Sequence, residues 1–462
     1  MSTAAAPDLL RSLDPATGEE VGRLPLTPVE SIAGMVRTAR GAQGEWGALA
    51  LEERVRRLRP AAAALAAGAK ELGELIMREM GKPRGDAVGE ATYAATAFER
   101  ELDEVAAAIA PETLRDERTL TTLHFDPLGV CAAITPWNFP LLMPQENVLP
   151  ALVAGNAVLL KPSELTPLVA AAWVAKVAPC LPAGVLQLVV GDERQGRALV
   201  DAEVDLVAFT GSREAGKAIM KAAAGGLKRL VLELGGKDPL VVRQDADLEA
   251  AAAFAVRNSF RNAGQVCVST ERIYVHREVA EPFRALVVEK ARALVQGPGN
   301  GEGVQIGPMV SAEQKAKVAA AVEKAVAQGA RVLLGGVPGP GNFYPPTVLD
   351  NLSHRMDIMR EETFGPVACI MEYGSDEEAL RLANDSPYGL GAAVFGRDVA
   401  AAQAFARRLQ SGMIGVNQGC GGARGSPWVG ARQSGFGFHS GPHGHRQFTQ
   451  VRIVSSPLPA SA

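Results

Sequence analysis

Gly129-Val130-Cys131-Ala132-Ala133-Ile134-Thr135-Pro136-Trp137-Asn138-Phe139-Pro140 is where the chain changes character. A short apolar run stops abruptly in a turn of two prolines and two aromatics. Such a run, bounded by turn residues, reads as a buried strand. Four similar runs follow, at Ala157–Leu160, Leu186–Val190, Asp205–Phe209 and Arg229–Glu233. Helical stretches near 142–154, 166–180, 193–201 and 213–225 separate them. This alternation predicts an α/β fold with a doubly wound parallel sheet. Ligands on such sheets bind at the carboxyl ends of the strands. Candidate site residues therefore lie at each run's end: Thr135, Pro136, Trp137 and Asn138; Lys161, Ser163 and Glu164; Gly191; Gly211 and Ser212; Leu234 and Gly235.

Upstream, residues 12–26 read as extended pieces about the turn Asp14–Glu19. Thr27-Pro28-Val29-Glu30 reads as a helix start, with Thr27 as cap and Glu30 closing a capping box. Ala-rich helices run on to about Ala110. Residues 113–128 turn β-like, and so does the tail, 447–458. The tail of one subunit is expected to pair with the excursion of another. Downstream, a helix near 247–261 opens a second α/β series. Its strands are Arg272–Val275, Arg331–Leu334, Pro366–Tyr373, Gly391–Phe395 and Met413–Val416. Helices are expected near 278–295, 311–328, 375–384 and 398–409.

The chain has 462 residues, 47% hydrophobic and 21% charged, with a net charge of −4. That length exceeds one ordinary core, so two or three domains are expected. The charge gives no general attraction to nucleic acid or anionic membrane. Residues 52–59 mix both signs at helical spacing and read as a solvated helix face. The opening residues lack a basic start and an apolar core, unlike a signal peptide. Val148–Leu160 is too short to span a bilayer. The cysteines, Cys131, Cys180, Cys267, Cys369 and Cys420, are odd in number and unpaired in spacing. This points to a reducing cytoplasm, with no disulfides and no zinc site. His439, His443 and His445 read as a solvent loop, not a metal site.

Cys267 closes the turn Arg261-Asn262-Ala263-Gly264-Gln265-Val266-Cys267-Val268. A free cysteine is ordinarily a small buried hydrophobe. It becomes a candidate nucleophile only if an oxyanion donor, a base and a cofactor site are also present. Asn138 is either a turn residue or an oxyanion donor. Glu233 is either a strand-edge carboxylate facing water or a buried general base with a raised pKa. Lys161 and Glu164 read either as part of a capped helix start or as ligands for ribose hydroxyls. No G-x-G-x-x-G follows the first strand. Gly211–Lys217 resembles a P-loop, but Ala218 stands where magnesium binding needs Ser or Thr. What survives is a helix N-terminus suited to a pyrophosphate.

Together these motifs strongly resemble the aldehyde dehydrogenase superfamily. They are Asn138 in P-W-N-F-P, Lys161 in K-P-S-E, Gly211 in F-T-G-S, Glu233 in L-E-L-G-G-K, Cys267 in N-A-G-Q-V-C, and Glu361–Pro366. Their order agrees as well, from Asp14 to Gly437. The resemblance implies that Cys267 attacks an aldehyde, that Asn138 and the Cys267 backbone N–H hold the oxyanion, and that Glu233 activates water. It implies NAD, with NADP possible, contacted by Trp137, Lys161, Glu164, Ser212, Glu362 and Phe364. It implies a cofactor-binding unit of 1–112 with 129–235 and a catalytic unit of 236–435. Residues 113–128 and 440–462 would form oligomerisation strands of a homodimer or homotetramer. The expected partner is a small-molecule aldehyde.

The chain departs from the family's P-F-G-G-x-K, reading Pro427-Trp428-Val429-Gly430-Ala431-Arg432. Trp428 should reshape the substrate pocket, whose other expected walls are Met143, Val266 and Val268. The glycine-rich Cys420–Gly425 should leave one side open or mobile. Arg261 matches an arginine that holds the substrate carboxylate in succinate-semialdehyde dehydrogenases. A second arginine of that subfamily is here Glu146, so Arg261 either binds a carboxylate or pairs with Glu146. Two rival readings are a CoA-acylating semialdehyde dehydrogenase and a catalytically silent binding homologue. Glu233 argues against the first, and the complete residue set against the second.

Overall fold

The computed structural model describes residues 8–458. The first sheet contains β1 Val130–Thr135, α1 Leu142–Ala154, β2 Ala157–Pro162, α2 Pro167–Val177, β3 Leu186–Leu188, α3 Glu193–Asp201, β4 Leu206–Thr210, α4 Arg213–Ala223 and β5 Arg229–Glu233. Its order is β3-β2-β1-β4-β5, with these strands parallel. Gly435–Phe436 adds a short antiparallel edge to β5. Every residue of β1, β2 and β4 is buried. Helices cover both faces, which is why these strands read as continuous apolar runs instead of alternating ones. Each fully buried Val, Leu or Ile contributes ~1.5–3 kcal/mol. From β1 the chain moves outward through β2 and β3, then returns to the other side of β1 with β4. The switch point between β1 and β4 opens a crevice at their carboxyl ends.

Leu234-Gly235-Gly236-Lys237 then carries the chain directly into a second sheet. That sheet contains β6 Asp238–Val242, α5 Leu248–Phe260, β7 Thr270–His276, α6 Ala280–Arg292, α7 Ala312–Ala327, β8 Arg331–Leu334, β9 Thr347–Asp350, β10 Val367–Tyr373, α8 Asp376–Asn384, β11 Gly391–Phe395, α9 Val399–Ala406 and β12 Met413–Val416. The order is β8-β9-β10-β7-β6-β11-β12. Only β8 runs antiparallel to its neighbour. Sequence reading missed β6 and β9. The paired glycines before β6 suggested a turn after β5, whereas they are a near-immediate crossing between sheets.

Four expectations need correction. Residues 449–457 pair with 119–127 of the same chain, in antiparallel register from Thr449–Pro127 to Pro457–Thr119. Thr27 caps no helix: its hydroxyl accepts from the Val190 N–H at 2.9 Å, and Val29–Ser31 is a single 3₁₀ turn. Arg54 does not lie on a solvated face. It is buried and donates to the carbonyls of Val153, Gly47 and Leu49. His439 and His445 are likewise buried, not solvent-borne. Among the described residues no group of side chains could hold a metal, and no helix is long and apolar enough to cross a membrane.

Candidate active site

A cavity of about 540 Å³ opens at the switch point. Pro136, Trp137 and Asn138 enter it from the end of β1, Gly211 and Ser212 from β4, and Glu233 and Gly235 from β5. The loop before β7 brings Val266, Cys267 and Val268. Glu362, Phe364 and Trp428 close the far side, while Met143, Glu146 and Arg261 form the remaining wall. Residues separated by hundreds of positions thus meet because two strand ends and a sheet-to-sheet crossing converge there.

The Cys267 loop is a braced turn. After α5 the chain takes left-handed φ values at Asn262 (53°), Ala263 (54°) and Gly264 (70°). That conformation costs an alanine roughly 1–2 kcal/mol, so the surroundings must enforce it. The Asn262 amide donates to the carbonyls of Asn138 (3.3 Å) and Gln265 (3.2 Å). The Gln265 amide donates to the Asn262 carbonyl (2.9 Å), and its oxygen accepts from the Val310 N–H (2.9 Å). Asn138 Nδ2 donates to the Gln265 carbonyl at 3.1 Å. Only Gly264 fits its place, since a Cβ there would lie 2.1 Å from the Gly365 carbonyl.

Glu233 is buried at the end of β5, which settles the question of a water-facing edge. Its Oε1 accepts from Trp428 Nε1 at 3.1 Å, while Oε2 is buried with no hydrogen-bond partner. Burial pushes its pKa up to about 7, opposed by the hydrogen bond from Trp428 and by the neighbouring Cys267 thiol. Burial also pushes the Cys267 thiol well above its ordinary range, reinforced by the charges of Glu233 and Asp238. The Glu233 charge therefore resists ionisation of the thiol, whereas the neutral thiol favours ionisation of the carboxyl.

Gly235 and Gly236 permit a third close approach. A Cβ on Gly235 would lie 2.3 Å from Glu362 Oε2, and one on Gly236 would lie 2.4 Å from the Cys267 carbonyl. The Gly236 N–H donates to Glu362 Oε1 at 3.0 Å. Burial pushes Glu362 up to about 8. Its strap is held by Glu271, on β7, a residue that sequence reading passed over. Buried Glu271 accepts from the N–H groups of Thr363 (2.7 Å) and Phe364 (2.9 Å) and pairs with Lys237 at 2.5 Å. Its sequence signal was weak, since Glu271 lies between Thr270 and Arg272 at the polar start of β7. The ring of Phe364 meets Trp137 edge-on at 5.4 Å.

Of the other sequence-predicted residues, Ser212 lines the cavity and the rest lie outside its lining. Thr135 Oγ1 is buried without a partner. Lys161 is buried at the end of β2, and its one ion-pair neighbour is half-exposed Glu164, at 3.5 Å. Ser163 Oγ accepts from the Leu165 N–H at 3.2 Å, so Ser163, not Glu164, makes the local turn. Ser212 caps α4 by accepting from the Ala215 N–H at 3.3 Å. Gly191 follows β3, where a Cβ would collide with the Gln195 amide. Leu234 is buried against Gly216 of α4, a packing position.

Arg261 and Glu146 do not pair. The Arg261 guanidinium stands 5.5 Å from the Phe139 ring centre and has no carboxylate in ion-pair range among the described residues. Glu146 Oε2 is instead 3.7 Å from His439 Nδ1. Burial, aided by the charges of Glu101 and Glu233, holds Glu146 well above the usual carboxylate range. Burial lowers His439 to about 4. His439 is therefore neutral near pH 7, and the two do not form an ion pair. Gly422–Gly425 lines a neighbouring cavity of about 370 Å³, which shares Glu146 with the main one.

The chain matches the aldehyde dehydrogenase family over residues 3–454. It is 37% identical to betaine aldehyde dehydrogenase 1 of Rhizobium meliloti, over 97% of this chain and 94% of that one. It is also 37% identical to the NAD(P)+ succinate semialdehyde dehydrogenase Sad of Escherichia coli, over 96% and 97%. Among solved structures it resembles a betaine aldehyde dehydrogenase point mutant of Staphylococcus aureus in complex with NAD+. That likeness has a TM-score of 0.94 at 30% identity, covering 98% of this chain and 95% of that one.

Proposed function

The chain belongs to the aldehyde dehydrogenase family, and on that premise we propose that it oxidises its aldehyde at Cys267, with Asn138 and Glu233 as partners. The protein is an NAD(P)-dependent enzyme that converts an aldehyde to the carboxylic acid. The convergence of these three side chains on one cavity at the switch point carries the residue assignment.

Glu233 takes the thiol proton of Cys267, and the sulfur bonds to the aldehyde carbon as the C=O π bond breaks. The oxyanion meets the Cys267 N–H and the Asn138 amide, which is already oriented by its bond to Gln265. NAD(P)+, when bound, supplies the hydride acceptor that turns this adduct into a thioester. Glu233 gives up that proton to solvent, then takes one from water as the water oxygen bonds to the thioester carbon; the C–S bond breaks, the sulfur leaves as thiolate, and the acid departs. This assigns hydrolysis to the protein's own base, in preference to transfer to CoA.

The residues fit the cofactor. Orphaned Thr135 Oγ1 and sparsely paired Lys161 are buried polar groups at strand ends, where hydroxyl partners are missing. Lys161 and Glu164 would hold the adenine ribose, and Glu164 would disfavour a 2′-phosphate, so NAD is preferred. The α4 N-terminus at Ser212 suits the pyrophosphate. Glu362 would hold the nicotinamide ribose, with Phe364 and Trp137 packed beside the ring.

Residues 1–112 and 129–235 are assigned to cofactor binding and 236–435 to catalysis. The sheet of 112–115, 119–127 and 449–457 leaves Val451, Ile453 and Val454 exposed on its edge strand. Such an edge favours association, so a homodimer or homotetramer is assigned. The free thiols accord with a reducing cytoplasm. Unpaired Arg261 on the cavity wall favours an aldehyde with a tail carboxylate.

A panel of aldehydes, with and without CoA, tests the reaction through formation of reduced cofactor and free acid. CoA-independent acid is expected, and silence with every aldehyde would remove the catalytic assignment. Asn138→Ala should lower kcat by ~10²–10³-fold in a protein that still folds, with ~1 kcal/mol of stability lost with the bond to Gln265; a near-normal kcat would remove Asn138 from the oxyanion site. Arg261→Ala should raise KM for succinate semialdehyde by roughly tenfold and leave acetaldehyde unaffected. Equal effects on both would exclude the carboxylate contact.

A further inference from the structure

The placement of Trp428 is fixed from several sides. Its N–H donates to the His439 carbonyl (2.8 Å), and the His439 N–H returns the bond (3.3 Å). Its indole stacks on the His439 ring, with centroids 6.3 Å apart and planes 18° off parallel. His439 is itself buried, and its Nδ1 lies 2.9 Å from Ser440 Oγ. This frame delivers the indole N–H to Glu233 Oε1 at 3.1 Å. The other carboxylate oxygen has no partner.

We propose that Trp428 is a positioning residue for the base: its indole N–H pins one oxygen of Glu233, leaving the other as the single proton-accepting oxygen toward Cys267. This rests on the reading of Glu233 as the base. A buried carboxylate with both oxygens free can rotate and take up its proton in either orientation. Pinning one oxygen removes that freedom. A hydrogen bond to the charged form also favours ionisation, and so offsets part of the burial penalty. A phenylalanine ring would keep the stack and the cavity wall but offers no donor. The indole N–H is therefore the separable part of the arrangement, and the phenylalanine at this point of the family motif lacks it.

The groups facing Glu233 are few. Trp428 hydrogen-bonds to it, the Cys267 thiol lies beside it, and the Asp238, Glu146 and Glu362 carboxyls share its buried surroundings. No cation contributes to its ionisation. The effect of Trp428 is thus not masked by a stronger partner.

The test compares kcat across pH for the full-length wild type, Trp428→Phe and Glu233→Gln. Cofactor KM and thermal unfolding serve as controls. In Trp428→Phe the acid limb should move up by about one pH unit, so that kcat falls about tenfold below the limb and recovers at high pH. Glu233→Gln should lose that limb altogether. If Glu233→Gln loses the limb while Trp428→Phe leaves it unmoved, the positioning role is wrong and the base assignment stands. If Glu233→Gln retains the limb, the base assignment fails and the inference falls with it. A uniform loss at all pH values in Trp428→Phe would indicate packing alone and would also overturn the proposal.

Discussion

Cys267→Ala is expected to form no measurable acid or reduced cofactor, a loss of at least ~10⁴-fold, in a protein that still folds and binds NAD+. The loop does not depend on the sulfur for its shape. Its left-handed turn is held by Asn262, Gln265 and Asn138, and its tight packing by Gly264. The side chain faces the cavity, so shortening it removes little buried contact, and the stability change should stay within ~1 kcal/mol. Calorimetric titration with NAD+ and a thermal melt check the fold, and aldehyde turnover checks the chemistry. Substantial residual dehydrogenase activity would mean that another group bonds to the aldehyde. None of the other four thiols lines this cavity.

Glu233→Gln should lower steady-state turnover by ~10²–10⁴-fold. The isosteric amide keeps the volume at the end of β5 but cannot accept a proton. With its pKa at about 7, the wild-type carboxyl is protonated and idle below that pH and competent above it. Wild-type kcat should therefore fall as pH drops through about 7, the direction expected of a base that must be ionised. The residual activity of the variant should lack this inflection. Because the Cys267 thiol is also held well above its ordinary range, both thiolate formation and thioester hydrolysis should slow. Rapid-quench detection of the covalent acyl-enzyme separates the two steps. A wild-type pH profile in the variant would exclude Glu233 as the base.

Particular elements show how far the sequence could be read. β11 has the bounds that its apolar run implied, because a strand buried along its whole length has little freedom to read otherwise. β6 escaped because the glycines before it had a second use. They admit the carboxylate of Glu362 and the carbonyl of Cys267, which is a requirement of neighbours far away in sequence. The histidines near the C-terminus misled because a Gly/Pro-rich stretch usually lies in solvent. Here Trp428 stacks on His439 and buries it. Glu271 was invisible as a brace because the amides that it accepts, those of Thr363 and Phe364, lie some ninety residues downstream.

The sequence by itself determined the alternating architecture and the family resemblance, and it singled out Cys267, Asn138 and Glu233 as the proposed reacting groups. Those follow from local patterning and from side-chain chemistry that few positions can supply. Only the tertiary structure decided that Glu233 is buried, that its pKa is raised, and that Trp428 donates to it. It also decided that Arg261 is free while Glu146 stands beside a neutral histidine. Burial and hydrogen-bond partnership depend on which chain segments meet in space. The crossing from β5 to β6 brings Glu233, Cys267 and Trp428 to one cavity, and no local pattern records that meeting.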